Sequence, residues 1–567
     1  MEADNPPSGL VPTAMKWWGW GDPQIRFPFA ERPGFQDYLR EHLACSDFSQ
    51  SWSPNPEEFQ LPEPRISTAV LHELAEHIGP GNVSTDHLER LRHCFGRSYL
   101  DLVHIRRHEV PHATDAVIFP ETEDHLLETL QWADSHNIAV VPFGGGTSVV
   151  GGVSPEAGGK LAVVTVSLRK LNRVVYFDRV SQTVTAEAGI LGPNLEAQLA
   201  DYGYCLGHYP QSFEFSTVGG WVAARSSGQN SVLYGGIEKL VSALRVVSAK
   251  GITAIDLQPR HAVGPDLREM FVGSEGSLGI ISQVTLNVSP APKWKSYKLL
   301  MFDGFDSATT AARQLVQEHI PVAMVRVSDE SETEVLLSMA LGKKGFKNKL
   351  AKKWVTRYLN WKKLPTGICS AMLVGFEGEK SEIRSGWRQL RKCLKHFKYA
   401  SLGKGPGRHW LKDRFFLPYL RDELLDQKIL IETFETAGTW TNYLPLYQAI
   451  QECIKNSLPE RHVLLCHLSH LYSNGASLYF SVIGNQRGDG GEVRQWEEVK
   501  KNLNKVIMEA GGVISHHHGV GVDHRDFTRR SPLEKEILLD LKTTVDPKNI
   551  LNPGKLFEVP GARELQP

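Results

Sequence analysis

The chain has 567 residues, of which 41% are hydrophobic and 22% charged, with 63 Lys and Arg against 64 Asp and Glu. This length predicts two or three domains rather than one core, and the balanced charge excludes a chain-wide nucleic-acid-binding surface. Seven scattered cysteines without a CxxC pair predict free thiols in a reducing compartment.

The sequence contains neither a membrane span nor a secretory signal. No apolar run reaches about 18 residues, and the N-terminus lacks a basic region followed by an apolar one. We therefore expect a cytoplasmic protein, with any membrane contact being peripheral.

Residues 1–110 form the first predicted region, a mixture of extended and helical segments. "PNPEEFQLPEP" is typical of a linker, and "DHLERLRHCFG" predicts a short amphipathic helix. Over 111–292 strands and helices alternate with glycine clusters, which predicts an α+β domain. Within it, "DHLLETLQWADSH" has helical spacing and "IAVVPF" the β-branched residues of a buried strand.

A second α+β domain is predicted over 293–500, followed by a C-terminal segment, 501–567. "ATTAARQLVQEHI" has helical spacing and "SAMLVGFEG" reads as a strand, a pattern that indicates a sheet covered by helices. The boundary near residue 500 falls within a predicted helix, "EEVKKNLNKVIMEAGG".

Glycine clusters in the first α+β domain suggest a bound dinucleotide. "GGGTS" after a strand is not a Rossmann fingerprint, because Val149 takes the place of the third glycine and no helix follows. Alone, it fits a tight turn equally well. Three Gly- and Ser-rich segments in one domain, 142–148, 211–228 and 273–281, point instead to a dinucleotide in extended form.

"SHHHGVG" at 515–521 could hold metal ligands, a catalytic base or a polar turn. It follows a glycine-capped helix, so we predict a strand over 513–518. On a strand His516 and His518 face one side and His517 the other. Three ligands to one metal would then require a distorted backbone, and we expect no metal.

Several motifs together resemble one family. "PFGGGTS" and "GSEGSLGII" resemble the flavin-binding segments of the vanillyl-alcohol oxidase/p-cresol methylhydroxylase fold. "GHYPQSFEFSTVGGWV", "NGASLYF" and "GGVISHHHGVG" are similar to the alkyldihydroxyacetonephosphate synthase family. The resemblance implies a two-subdomain FAD-binding domain, an α+β substrate (cap) domain, and a C-terminal segment that contacts FAD.

The resemblance also implies which residues hold the FAD. No histidine lies in 142–153, where some members of the wider fold attach flavin covalently, so we expect non-covalent FAD. The implied cofactor-binding residues are Pro142, Phe143, Gly144, Gly145, Gly146, Thr147, Ser148, Gln211, Ser212, Phe213, Glu214, Phe215, Ser216, Thr217, Ala224, Arg225, Ser226, Ser227, Glu275, Gly276, Ser277, Leu278, Gly279, Ile280 and Ile281.

The implied reaction exchanges the acyl group of acyl-dihydroxyacetone phosphate for a fatty alcohol. Tyr479 would transfer a proton and Arg421 would bind the phosphate, with the histidine run and Arg326 assisting. From the residues alone, Tyr479 fits a core strand and Arg421 a surface helix, paired with Asp422 or Glu423. Arg326 fits either a site residue or a buried pair with Asp329.

One stretch departs from the family pattern. The ether-lipid enzymes have Arg after Cys before the tyrosine motif, whereas this chain has His467 and then His470. Paired histidines of related 2-hydroxy-acid dehydrogenases sometimes bind zinc, but their Gly-Asp-Gly-Asn setting is missing here. Because His467 and His470 depart from the ether-lipid pattern, FAD-linked oxidation of a 2-hydroxy acid stays open as an alternative function.

The segment 342–364 carries nine Lys and Arg, no acidic residue, and interleaved aromatic residues. Such a segment suits an anionic membrane surface, although a solvated basic helix fits as well and RNA binding less well. The expected partners are small-molecule lipid substrates, with no nucleic acid. The resemblance also allows a homodimer.

Overall fold

A computed structural model describes residues 15–45, 48, 52–341, 346–364, 369–488 and 490–557. The side chains of 341–352 are not described. Statements about the structure refer to these residues only.

The N-terminal region packs against the rest of the chain rather than forming a core of its own. Trp17, Phe35 and Phe59 join the hydrophobic core of the cap domain. Its elements are α1 (Pro33–Leu43), α2 (Thr68–Ile78), β1 (Val83–Ser84), α3 (His87–Arg92) and α4 (Tyr99–Arg106). The predicted short helix is confirmed as α3, which begins where the Asp86 side chain accepts the Glu89 amide.

Two small sheets follow. The first has the order β1-β2-β4-β3, with the last three strands parallel. A C-terminal residue adds to the edge of this sheet, because Leu551 pairs with Val140. Its elements are β2 (Ala116–Ile118), α5 (Glu123–Ser135), β3 (Ala139–Phe143) and β4 (Val163–Ser167). The predicted helix and the buried strand beside it are confirmed as α5 and β3.

The second sheet is antiparallel, with the order β5-β6-β10-β8-β9. A separate β11-β7 ribbon lies beside it. The elements are β5 (Val174–Asp178), β6 (Thr183–Glu187), α6 (Gly192–Asp201), β7 (Tyr204–Cys205), α7 (Val218–Ala223), α8 (Ser231–Tyr234), α9 (Ile237–Leu240), β8 (Val241–Ser248), β9 (Gly251–Ile255), α10 (Arg268–Phe271), β10 (Ile280–Asn287) and β11 (Ser289–Pro290).

A seven-stranded antiparallel sheet with the order β15-β12-β14-β13-β17-β18-β16 forms the cap domain. Its elements are β12 (Trp294–Phe302), α11 (Phe305–Gln317), β13 (Met324–Ser328), α12 (Glu330–Leu341), α13 (Phe346–Trp361), β14 (Ser370–Gly378), α14 (Lys380–Cys393), β15 (Tyr399–Gly403), α15 (Lys404–Asp413), α16 (Tyr419–Asp426), β16 (Ile429–Thr439), α17 (Tyr443–Ser457), β17 (His462–Leu471) and β18 (Gly475–Asn485).

Two further helices, α18 (Glu492–Glu509) and α19 (Pro532–Val545), complete the chain. The predicted helices in the cap and C-terminal regions are confirmed as α11 and α18, the predicted strand "SAMLVGFEG" is confirmed as β14, and the α+β class is confirmed. Among the described residues, no helix combines the length and apolarity that crossing a membrane requires.

Candidate active site

One cavity of about 400 Å³ lies between the two small sheets and the cap domain. Glycine- and serine-rich segments line its first part, and the cap sheet with α12 and α16 lines its second part. The second part is largely apolar. Its wall includes Val335, Leu336, Met339, Leu420, Leu465 and Ile483.

The glycine turn after β3 leaves a row of backbone N–H groups unpaired in the cavity wall. The amides of Gly145, Gly146 and Thr147 donate no hydrogen bond to any described residue. A Cβ atom on Gly145 would collide with the Phe215 carbonyl oxygen, and Gly146 has a φ of 67°. Consecutive free amides bind anions such as a pyrophosphate, so these residues fit FAD.

Most of the predicted cofactor-binding residues line this cavity, but six do not: Phe213, Glu214, Phe215, Arg225, Ser277 and Leu278. Phe213 stacks on Phe415 with ring centroids 5.2 Å apart. Arg225 forms a surface ion pair with Glu269 at 3.0 Å. When a segment runs along a cavity, only some of its side chains face the cavity. A motif match does not show which side chains these are.

Three adjacent strands of the cap sheet place polar side chains in one row. Tyr479 on β18 lies opposite Glu435 on β16 and opposite His467 on β17. Directly paired residues project from the same face of a sheet. Tyr479 and His467 both line the cavity, with ring centroids 4.9 Å apart.

Tyr479 is a neutral phenol at physiological pH. Burial raises its pKa to about 12, although the Thr433 hydroxyl and the Arg421 charge lower it. Thr433 and Arg421 thus favour the phenolate form of Tyr479, but the effect of burial on its pKa is larger. A proton can leave this hydroxyl only to a base close by.

Arg421 lies in the cavity wall and pairs with Glu432, which contradicts the alternative of a surface arginine paired with Asp422 or Glu423. Its Nη2 donates to Glu432 Oε2 at 2.5 Å, and its Nη1 donates to the Arg97 carbonyl oxygen at 2.7 Å. Its Nε has no partner among the described residues.

The alternative partners are occupied elsewhere. Asp422 binds Lys16 at 2.7 Å. Burial raises the pKa of Glu432 to about 7, although Arg421 and Lys500 oppose this. Arg421 is therefore a buried cation whose Nε has no partner among the described residues.

Arg326 also has a different partner from the one predicted. Its Nη2 donates to Glu332 Oε1 at 2.9 Å. Asp329 is unavailable, because its Oδ1 accepts the Glu332 amide at the start of α12 and its Oδ2 accepts the Tyr447 hydroxyl. Glu332 lies in the cavity wall with Arg326.

The histidine run is a loop, not the predicted strand. Its backbone amides donate to the buried carboxylate of Glu435. The Oε1 atom of Glu435 accepts the amides of His516, His517 and His518 at 2.9, 3.1 and 3.0 Å. The Ser515 hydroxyl donates to the same oxygen at 2.8 Å. In a strand, three successive amides cannot point toward one acceptor. The hydrogen bonds to Glu435 therefore hold this segment as a loop, although its sequence predicts a strand.

A second carboxylate fixes the other end of this loop. Glu275 accepts the Val520 amide at 2.6 Å and the Gly521 amide at 2.8 Å. Glu275 lies between α10 and β10, and Glu435 lies on β16 of the cap sheet. The loop 515–521 is thus held at both ends by acids that belong to different parts of the fold.

The strand prediction placed His516 and His518 on one side, but in the loop His517 and His518 share a side. His517 and His518 line the cavity, whereas His516 lies behind it and its Nε2 is 2.8 Å from the Tyr472 hydroxyl. His518 meets Tyr479 edge-on, with centroids 5.5 Å apart, and its ring nitrogens have no partner among the described residues. Burial lowers its pKa to about 4, so it is a neutral base beside the phenol.

Ligand atoms of Glu435, His516 and His517 lie within 4.8 Å of one another. Glu435 already accepts four groups of the loop, and the Nδ1 atoms of His516 and His517 are 3.0 Å apart. The Glu435 carboxylate and the Nδ1 atoms of His516 and His517 thus already have partners within the protein.

No sequence motif indicated the acidic residues Glu332, Glu432 and Glu435. The available signal was the placement of two glutamates within an otherwise apolar strand, "ILIETFETAGT", where an unpaired charge is costly. His470, which was noted only as a departure, reaches the wall because a bulge in β17 puts it at a φ of 49°.

The glycine turn provides a prediction for cofactor binding. Gly145→Ala should weaken FAD binding about tenfold or more, because forcing a Cβ against the Phe215 carbonyl costs about 1–3 kcal/mol. Titration of the apoprotein with FAD, followed by flavin fluorescence, measures the change. Gly405→Ala on α15 has no atom within 4 Å of the new Cβ and should bind FAD normally. Unchanged affinity in Gly145→Ala would contradict this cofactor site.

Two family models match the chain, an FAD binding domain over 114–255 and the C-terminal domain of FAD linked oxidases over 291–556. The alkyldihydroxyacetonephosphate synthase of Trypanosoma brucei brucei is 32% identical over 580 residues, which is 98% of this chain and 94% of that protein.

Solved structures agree with these matches. An alkyldihydroxyacetonephosphate synthase structure has a TM-score of 0.82 at 29% identity, covering 96% of this chain and 99% of that one. The p-cresol methylhydroxylase structure with substrate bound has a TM-score of 0.65 at 13% identity, covering 88% and 99%. This more distant likeness concerns the fold alone and confirms the predicted fold type.

Proposed function

The chain belongs to the alkyldihydroxyacetonephosphate synthase family and is an FAD-using enzyme, and from this premise we propose that it forms the ether bond of ether lipids. In the proposed reaction, the acyl group of acyl-dihydroxyacetone phosphate leaves as a fatty acid and a fatty alcohol replaces it. The observation that carries the proposal is a single cavity that joins free amides, a cation beside a phenol and an imidazole, and an apolar wall.

Each part of the substrate has a matching part of the cavity. The phosphate is proposed to lie at Arg421, where the free Nε and the guanidinium charge can receive it. Because the pKa of Glu432 is about 7, this acid can take up a proton when the phosphate arrives and so limit the buried negative charge. The acyl chain is proposed to lie along Val335, Leu336 and Met339 of α12.

Proton transfer at the dihydroxyacetone carbon is proposed for Tyr479 with His518. The neutral imidazole of His518 can accept a proton and the Tyr479 hydroxyl can pass one on, since the two rings are in contact. FAD, when bound, supplies the reactive ring system of this enzyme class. The exchange of an ester for an ether involves no net oxidation.

The direct test supplies purified holoenzyme with acyl-dihydroxyacetone phosphate and a long-chain alcohol and follows the ether product by mass spectrometry. A parallel anaerobic experiment mixes the enzyme with 2-hydroxy acids. Ether formation without lasting flavin bleaching supports the proposal. Bleaching by a 2-hydroxy acid, reversed by an oxidant and without ether formation, would favour the oxidoreductase alternative.

We also propose that α13 contacts a membrane that supplies the lipid substrates. Leu359 and Leu364 anchor this segment in a small apolar core of the cap domain, whereas Trp354 and Trp361 are 66% and 71% exposed. Seven residues separate the two Trp side chains, so they share one face of the helix. Part of the predicted segment, including Phe346's side chain, lies outside the described residues.

Replacing both exposed tryptophans should weaken membrane binding. Trp354→Ser with Trp361→Ser should lower partitioning onto phosphatidylserine-containing vesicles about tenfold or more, since a buried aromatic side chain contributes roughly 1.5–3 kcal/mol. Co-sedimentation at low and high salt measures this. Leu161→Ser, at another side chain that is 67% exposed, is the matched control. Equal partitioning of all three proteins would refute the proposal.

A cytoplasmic location and a homodimer are likewise proposed. The first is supported by the free cysteines and the second by the family resemblance alone. Sedimentation velocity would measure the oligomeric state.

A further inference from the structure

His467 lies in the cavity wall beside Tyr479. It is on β17 opposite Tyr479 and stacks on the Tyr479 ring at an interplanar angle of 21°. His467 is 8% exposed. A histidine at this end of the cavity can act as a base, because its neutral ring can accept a proton.

The contacts of His467 determine which of its nitrogens carries the proton. Nδ1 is 2.9 Å from Glu332 Oε1 and 3.2 Å from Arg326 Nη2. An unprotonated Nδ1 would turn its lone pair toward the carboxylate at this short distance. We therefore assign the proton to Nδ1, which donates to Glu332, while Arg326 donates to the same oxygen at 2.9 Å.

This assignment leaves Nε2 as a free acceptor. Nε2 has no hydrogen-bond partner among the described residues, and the ring forms part of the cavity wall. Burial, with Arg326 in support, lowers the pKa of His467, so the ring is neutral at pH 7. Burial also opposes ionisation of Glu332, but Arg326 and His467 outweigh it and lower the pKa of that acid. A carboxylate that orients a neutral imidazole is the arrangement of a general base.

The apolar wall begins beside this dyad. Leu465 lies two residues before His467 on the same face of β17, and Val335 and Leu336 follow Glu332 by about one helical turn on α12. An aliphatic chain along these residues would bring a polar end group close to His467 Nε2.

We propose that His467, oriented by Glu332, accepts the hydroxyl proton of the incoming fatty alcohol. The inference rests on the proposed function and deepens it. The bond from the dihydroxyacetone carbon to the acyl carboxylate breaks, a bond from that carbon to the alcohol oxygen forms, and the alcohol proton passes to Nε2. That proton leaves with the released carboxylate as fatty acid, and no electrons are gained or lost. Glu332 is a positioning residue.

The test compares two reactions of the holoenzyme that differ only in the entering group. Incorporation of labelled hexadecanol requires removal of a hydroxyl proton, whereas exchange of labelled palmitate into acyl-dihydroxyacetone phosphate uses a carboxylate that has already lost its proton. His467→Gln should lower alcohol incorporation about a hundredfold or more and leave palmitate exchange and FAD content close to wild type. Glu332→Gln should lower the same alcohol-to-acid ratio, by about tenfold or more.

His462→Gln, on the same strand but outside the cavity wall, and Glu334→Gln, exposed on α12, are the matched controls and should keep the wild-type ratio. In His467→Ala, added imidazole should restore part of the alcohol reaction. If His467→Gln lowers both reactions equally, or neither, the assignment is wrong although the proposed function stands. A wild-type enzyme that forms no ether overturns the proposed function and this assignment together.

Discussion

Tyr479→Phe should reduce ether formation by a factor of about 10²–10⁴, the usual contribution of a positioned acid or base. The substitution removes only a hydroxyl, and the ring can keep its contacts with His467 and His518. FAD content and the free energy of unfolding should therefore change little. Steady-state product formation, with flavin absorbance as a check on the fold, measures the effect.

A second buried tyrosine, outside the cavity, provides the control for this substitution. Tyr443 on α17 is also buried and donates to Asp306 at 3.1 Å, but it lies outside the cavity wall. Tyr443→Phe should retain full activity. If Tyr479→Phe formed ether at the wild-type rate, Tyr479 would not be the proton-transfer residue.

Glu435→Ala should be the most disruptive single change in the histidine loop. The carboxylate is 3% exposed and accepts three loop amides and the Ser515 hydroxyl. Its removal leaves these donors unpaired, so the free energy of unfolding should fall by about 3–5 kcal/mol. Displacement of His518 by about 1 Å should lower ether formation about a hundredfold.

Urea unfolding, activity at low temperature and amide hydrogen exchange over 515–518 measure these effects separately. Glu187→Ala is the comparison, because Glu187 is equally buried and paired with Arg173 but lies outside the cavity wall. It should lose stability while keeping slow exchange in the loop and activity in the folded fraction. Slow exchange and full activity in Glu435→Ala would refute the role assigned to the carboxylate.

Local pattern predicted much of the fold. The helical spacing in α5, α11, α14 and α18 is present in the sequence, and so is the β-branched run of β3. The glycine turn could be assigned to a dinucleotide because two further Gly- and Ser-rich segments, 211–228 and 273–281, occur in the same predicted domain. The order of the seven cap strands could not be predicted, since it depends on which distant strands pair.

The contacts that differ from the expectations depend on competition between hydrogen-bond partners, which local sequence patterns do not show. The histidine run was predicted as a strand because Glu435, about 80 residues earlier, was not known to face its amides. For Arg326, a pair with Asp329 was one of two alternatives, but Asp329 accepts the Glu332 amide at the start of α12, and Glu332 pairs with Arg326. Sequence analysis identified Arg326 and Arg421 but not Glu332 and Glu432, the acids with which they pair.

The origin of the ether oxygen tests the proposed exchange most directly. Holoenzyme is incubated with acyl-dihydroxyacetone phosphate and a long-chain alcohol labelled with heavy oxygen, and the product and the released fatty acid are analysed by mass spectrometry. The proposed exchange predicts an ether that carries the alcohol's labelled oxygen, together with an equal amount of unlabelled fatty acid. No ether, or an ether without the label, would contradict it.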